Sequence, residues 1–268
     1  MSDLLSFGPG QPAHQILDPG VRMHAPSGGG AAAPSPLLTN LISYYSKEEA
    51  SGTRNDAHGT NHLTDNNTVT QAAGKVGNAA KFTAPNSESL SIASNPSLAI
   101  SDIDASWGFW VYLDTKSAQM GLVTKWNANS SQRGYQIYYS SAADRFAFLV
   151  SSDGTFNANF QINADALGSP ATGTWYYINA WHDSVGNTIN IQVNNGTVNS
   201  KAHTAGLFAS TAAFALGAEA FSPFSRFLNG RLDEAGFWKR VLTTDERTWL
   251  WNGGSGRSYA DVVAGVGL

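Results

Sequence analysis

The stretch NGRLDEAGFWKRVLTTDERTWLWN, residues 229–252, decides how this chain is read. Its first half alternates as a strand, with Leu232, Phe237 and Trp238 apolar around the adjacent carboxylates Asp233 and Glu234. Successive strand residues face opposite sides, so one of the two carboxylates is expected to look inward. A buried carboxylate is tolerated only with a cation or several donors, so this strand predicts a structural ion or an ion pair. The second half predicts a short helix. Thr243 stands three residues before Glu246, a capping-box spacing, and Gly253 supplies the free backbone that a helix C-terminus needs.

Working outward, runs such as 107–113, 135–139, 145–150, 174–181 and 188–193 are rich in β-branched and aromatic residues and bounded by Gly, Asn, Asp or Ser. Asn194-Asn195-Gly196 between Val193 and Thr197 reads as a hairpin turn, because Asn and Gly tolerate positive φ. With 27 Gly, 8 Trp and only 13% charged residues, 268 residues suffice for one strand-dominated core.

Residues 1–36 differ. FGPGQPAHQILDPG and APSGGGAAAPSP are rich in Pro and Gly without any sustained period, which predicts an extended arm. Phe7, Ile16, Leu17, Val21 and Met23 would be its apolar anchors on a partner surface. The start Met1-Ser2-Asp3 is acidic and Leu4-Leu5 is interrupted at once, so no secretory leader is expected. No apolar stretch nears the ~20 residues that span a bilayer. Cysteine is absent, which excludes thiol catalysis and disulfide stapling. A net charge of −4 with scattered Lys and Arg argues against nucleic-acid binding.

Taken in order, LISYYSKEEASGTRNDAHGTNHLTDNN (41–67), GKVGNAAKFTAPNSESLSI (74–92), WGFWVYL, LVTKW, GTWYYINAWHD, NTINIQVNNGT and GRLDEAGFWKRVLTTDE resemble the laminin-G-like branch of the concanavalin A-like lectin/glucanase superfamily. The resemblance spans roughly 37–268. It implies an all-β fold: a two-sheet antiparallel jelly-roll sandwich with one short C-terminal helix, carried here behind the extended N-terminal arm. Such domains usually bind sugar or protein.

Catalysis is not expected. The spaced carboxylate pattern of the glucanases is missing, and Asp233 and Glu234, read as pointing oppositely, would not share a substrate. No nucleophile elbow surrounds any Ser, and His58, His62, His182 and His203 lie in polar, turn-like segments that read as solvated loops.

Two binding sites are expected. Asp56 and Asn61 in the RNDAHGTNHL turn, with Asp233, offer the hard oxygens that calcium takes, and the resemblance implies that this turn and the carboxylate strand meet around such an ion. The competing reading pairs Asp233 with an Arg or with loop N–H groups. The second site is a carbohydrate-binding edge made of Trp126, Asn129, Arg133, Tyr135 and Phe224, with Asn127, Phe221 and Arg226 nearby. Its alternative takes these residues as the rim of the core.

Together these features predict a non-catalytic virion surface protein of a bacteriophage, on capsid or tail. It would be attached through its arm to a virion structural protein and present as a homo-oligomer or in many copies, with a host-surface or environmental glycan as ligand. A stand-alone bacterial carbohydrate-binding or adhesion module, extracellular, is the alternative, and a glycoside hydrolase the third reading.

Overall fold

The expected strand runs form, and their partners complete two antiparallel sheets; the computed structural model describes residues 34–268. In chain order the strands are β1 (Leu41–Tyr45), β2 (Thr64–Asn66), β3 (Thr70–Ala73), β4 (Asn78–Phe82), β5 (Ser89–Ile92), β6 (Ala105–Leu113), β7 (Met120–Asn127) and β8 (Gln132–Ser140). They continue as β9 (Arg145–Val150), β10 (Gln161–Asn163), β11 (Trp175–Asp183), β12 (Thr188–Val193), β13 (Asn199–Ala202), β14 (Phe214–Leu216) and β15 (Gly230–Trp238). One sheet runs β13-β12-β11-β6-β15-β4-β3, with β1 also on β15, and the other runs β10-β9-β8-β7-β14-β5-β2. The all-β sandwich is therefore as the sequence implies. The arm anchors Phe7, Ile16, Leu17, Val21 and Met23 lie outside the described residues.

Strand β15 organises the first sheet. One of its edges pairs with β6 along most of its length; the other takes β4 at residues 230–232 and β1 at 235–238. The core lies between the sheets around Trp107, whose ring meets Tyr135 at 4.6 Å and Phe237 at 5.5 Å. Offset and tilted aromatic contacts of this kind add about 0.5–1.5 kcal/mol each beyond area burial.

A second apolar layer covers the outer face of the first sheet. Helix α1 (Thr244–Trp251) is capped as expected, since Thr243 accepts from Glu246 N and Glu246 accepts from Thr243 N. Asn252, at φ 50°, takes the left-handed cap position ahead of Gly253. A further short helix, α2 (Tyr259–Ala264), carries its own capping box from Ser258 and Asp261. Trp249, Leu250 and Val262 from this segment pack with Trp110, Trp238 and Leu37. Leu37 is fully buried, its carbonyl accepts Trp238 Nε1 at 2.7 Å, and Arg240 Nη2 donates to Pro36 O at 3.0 Å. Residues 35 and 36, placed at the arm's end by composition, thus contact the fold next to the buried Leu37. Among the described residues no helix is long and apolar enough to cross a membrane.

The turn after β12 also forms as expected. Asn194 and Asn195 take φ of 52° and 54°, the pair of left-handed residues that a tight I′-type hairpin turn requires.

Candidate functional site

The outer face of the second sheet is open and forms a cleft of about 690 Å3. That volume lies within the range of ordinary ligand pockets, about 300–1,000 Å3. Strand parity decides its lining. In β8 the residues Tyr135, Ile137 and Tyr139 join the core, while Gln136, Tyr138 and Ser140 line the cleft. In β9 Phe146, Phe148 and Val150 face inward and Ala147 and Leu149 outward. Trp126 of β7, Tyr138, Ala147 and Leu149 form an apolar floor, against which Phe160 and Phe221 pack.

Phe221 and Arg226 enter from the loop after β14. Its anchor is Glu219, wholly buried, which exchanges backbone hydrogen bonds with Ser225. The Glu219 carboxylate accepts from Arg226 Nη1 at 2.9 Å on both oxygens and from Gln119 Nε2 at 2.8 Å. Burial raises its pKa, and the Arg226 charge opposes that shift. The guanidinium of Arg226 lies over the Phe221 ring at 5.3 Å. Arg133 is set over Trp126 at 6.0 Å, with Nη1 donating to Gly154 O and Nη2 to Ala128 O. Tyr138 donates to Gln161 Oε1 at 2.7 Å. Gln136 is 2% exposed, and its Oε1 has no hydrogen-bond partner. Phe156, 59% exposed, lies at the cleft mouth.

The expected carbohydrate residues divide accordingly. Trp126 and Arg133 line the cleft. Asn129 is on an exposed turn and donates to Ser222 O. Tyr135 is not a cleft residue: it is one position out of phase, 1% exposed, packed at a tilt against Trp107, and its hydroxyl donates to Leu98 O at 3.0 Å. Phe224 lines a separate cleft of about 580 Å3 with Asn66, Asn67, Ser89 and Phe227. Gln136, Tyr138 and Phe156 were not singled out from sequence. The alternation of β8 carries the signal for the first two, because Gln136 is the amide within an otherwise apolar run.

The expected calcium ligands fall into two networks, Asp56 with Asn61 in one and Asp233 in the other. Asp56 accepts four backbone N–H groups, from Tyr44, His58 and Gly59 on Oδ1 and from Asn61 on Oδ2, all at 2.9–3.1 Å. Asn61 binds the side chains of Ser43, Asn95 and Ser97. Asp233 Oδ2 accepts from Lys75 N at 2.8 Å and Val76 N at 2.9 Å, and Oδ1 accepts from Glu234 N at 2.9 Å. Both carboxylates thus have peptide N–H donors, as in the competing reading of Asp233. Among the described residues no three His, Asp or Glu side chains form a metal-holding group.

Two further expectations are corrected. Asp233 and Glu234 do not face opposite environments: the β15–β6 register slips between Asp233 and Gly236, with Glu234 at φ 42°, and both carboxyls are buried. At this bulge two residues oppose one, so alternation fails. Both lie near the fully buried Lys47, whose Nζ donates to Tyr45 O at 2.9 Å. Burial raises Asp233 to about 6, against Lys47 and the peptide N–H groups. Burial first, then the Asp233 charge, raises Glu234 to about 8, while burial lowers Lys47 to about 8. Gly236 is needed here, since a Cβ at that position would strike the Trp238 ring. His182 and His203 are also not solvated. They are 0% and 3% exposed at 5.8 Å ring separation, with His182 Nδ1 bonded to Ile103 O and His203 Nε2 to Gly206 O.

Domain 4 of AbnA, a GH43 extracellular arabinanase from Geobacillus stearothermophilus, in complex with arabinotriose, is similar at TM-score 0.55 and 16% identity, covering 81% of this chain and 98% of that domain. The binding domain of botulinum neurotoxin DC in complex with rat synaptotagmin II is similar at TM-score 0.62 and 11% identity. The binding domain of Paraclostridial Mosquitocidal Protein 1 is similar at 0.60 and 16%. Each of the latter two matches covers 81% of this chain and about half of the toxin domain, 52% and 53%. At such identities the likeness concerns the fold alone. No curated protein sequence matches significantly. The family model Laminin_G_3, concanavalin A-like lectin/glucanases superfamily, matches residues 77–246. That match takes in the strands that build the cleft and β15, and the chain belongs to the concanavalin A-like lectin/glucanase superfamily.

Proposed function

We propose that the protein is a non-catalytic glycan-binding module that holds a saccharide in the cleft of its second sheet. The observation carrying this reading is the side-chain amide of Gln136, whose Oε1 has no protein partner, in a cleft floored by the buried rings of Trp126 and Tyr138 and edged by Phe221 and Phe156. A buried polar atom left unpaired costs roughly 1–3 kcal/mol, and a sugar hydroxyl supplies the missing donor. The exposed ring of Phe156 and the half-buried ring of Phe221 offer aromatic surface to the C–H face of a pyranose or furanose ring. No Asp or Glu is among the cleft-lining side chains, whereas glycoside hydrolysis needs two carboxyls flanking the scissile bond. The similar arabinanase domain, in complex with arabinotriose, is consistent with this use of the fold.

The test is calorimetric titration with a panel of oligosaccharides, alongside chromatography of the same mixtures. Binding of a saccharide, its loss in Trp126→Ala, and no shortening of the oligomer are expected. Saccharide binding that survives Trp126→Ala would put the site elsewhere, and shortened products would make the protein a hydrolase.

In this reading the Pro- and Gly-rich segment of residues 1–33 carries the module on a larger assembly, such as a virion surface. Its composition suits an attachment segment. Deletion of 1–33 is expected to abolish incorporation into particles while saccharide binding is retained; incorporation of the truncated chain would refute the attachment role.

A further inference from the structure

The charge carried by the cleft narrows its ligand. Both charged side chains of the lining are guanidinium groups, Arg133 and Arg226, in a chain of net charge −4. Arg133 has no ion-pair partner among the described residues, where the six ion pairs involve other cations. Its Nη atoms each give a hydrogen bond to a backbone carbonyl, which fixes the group over Trp126. Five N–H donors belong to a guanidinium, so three remain to be placed. Arg226 uses only Nη1 on Glu219; Nε and Nη2 form no protein hydrogen bond among the described residues, and the side chain is 43% exposed. Glu219 neutralises Arg226 but lies wholly inside and presents nothing to the cleft. The site therefore carries one uncompensated positive charge and a second guanidinium edge, above an apolar floor.

We propose that this cleft selects anionic saccharides, with a uronate carboxylate on the guanidinium edges and a ring hydroxyl on Gln136 Oε1. The inference rests on the glycan-binding reading and adds the class of sugar. A carboxylate matches the fork of a guanidinium in two parallel hydrogen bonds, and such charge-assisted pairs are about twice as strong as neutral ones. An arginine fixed by carbonyls loses little further freedom when it binds. A sulfate ester presents the same charge to the same donors, and the experiment separates the two.

The experiment uses the full chain and oligomers of galacturonate, glucuronate and mannuronate, each as free acid and as methyl ester, with neutral and sulfated oligosaccharides beside them. Acid and ester share skeleton and hydroxyls and differ in charge. Affinity for at least one acid is expected to exceed that for its ester about tenfold or more and to weaken with added salt. In Arg133→Gln the acid-to-ester ratio is expected to fall toward one, and in Arg133→Lys to recover in part, because charge returns without the fork. Equal affinity for acid and ester in the unsubstituted protein overturns the inference and leaves the glycan cleft standing. So does binding of neutral oligomers alone. Preference for the sulfated oligomer over every uronate overturns the carboxylate assignment. Binding of no saccharide of any class overturns both readings.

Discussion

Arg226 holds Glu219 with one nitrogen on both carboxylate oxygens, joining a half-exposed guanidinium to a carboxylate with no exposure at all. The pair is asymmetric. Removing the cation strands a buried charge, whereas removing the carboxylate leaves a guanidinium that water can reach. Arg226→Ala is therefore expected to cost about 3 kcal/mol in urea unfolding, the lower end for breaking a buried pair, and Glu219→Gln clearly less. A larger loss for Glu219→Gln than for Arg226→Ala would contradict this account of the loop.

Because Asp56 and Asp233 are satisfied by seven peptide N–H contacts, chelator and added calcium are both expected to leave the melting temperature unchanged. Asp233→Ala is expected to melt lower by the same amount with chelator or calcium. A rise of several degrees on adding calcium to the unsubstituted protein would show an ion that the native state binds.

The buried carboxyls of β15 give a pH dependence. Asp233 is raised to about 6 and Glu234 to about 8, so the folded state holds protons that the unfolded chain releases from about pH 4. Their contribution is fully present below the unfolded values and is lost as pH rises through the folded ones. Lys47, lowered to about 8, acts oppositely above that value. Melting temperature is expected to fall between pH 5 and 8, and Glu234→Gln to flatten that fall. An identical slope in the variant would remove Glu234 from the explanation.

Leu37 tests where the domain starts. It is fully buried ahead of β1, so Leu37→Ala is expected to cost about 2–5 kcal/mol, as for other core leucines. A cost below 0.5 kcal/mol, the scale of ordinary surface substitutions, would contradict a core that begins ahead of β1.

Much of the fold was legible because it follows from local chemistry. The capping box at Thr243 and Glu246, the Asn194-Asn195 turn and the strand runs each state their conformation in adjacent residues. The site was legible only in part, and for a physical reason. Strand β8 carries tyrosines on both faces, Tyr135 and Tyr139 toward the core and Tyr138 toward the cleft, so the one local mark of the cleft face is the amide Gln136, in phase with Tyr138. The bulge at Glu234 is set by pairing with β6, a strand more than a hundred residues away, and its effect on side-chain direction is invisible in sequence. The buried pair His182 and His203 was lost in the same way. Both sit in polar sequence, yet the fold closes over them.

The most direct measurement is mapping of a bound oligosaccharide by amide and side-chain chemical-shift changes in isotope-labelled protein. The account predicts shifts concentrated on Trp126, Gln136, Tyr138, Phe221 and Arg133, with the Gln136 side-chain amide among the largest. The Asp56 turn and the Lys47–Glu234 cluster are expected to stay still. Shifts confined to those two regions, or to the Phe224 cleft, would contradict it.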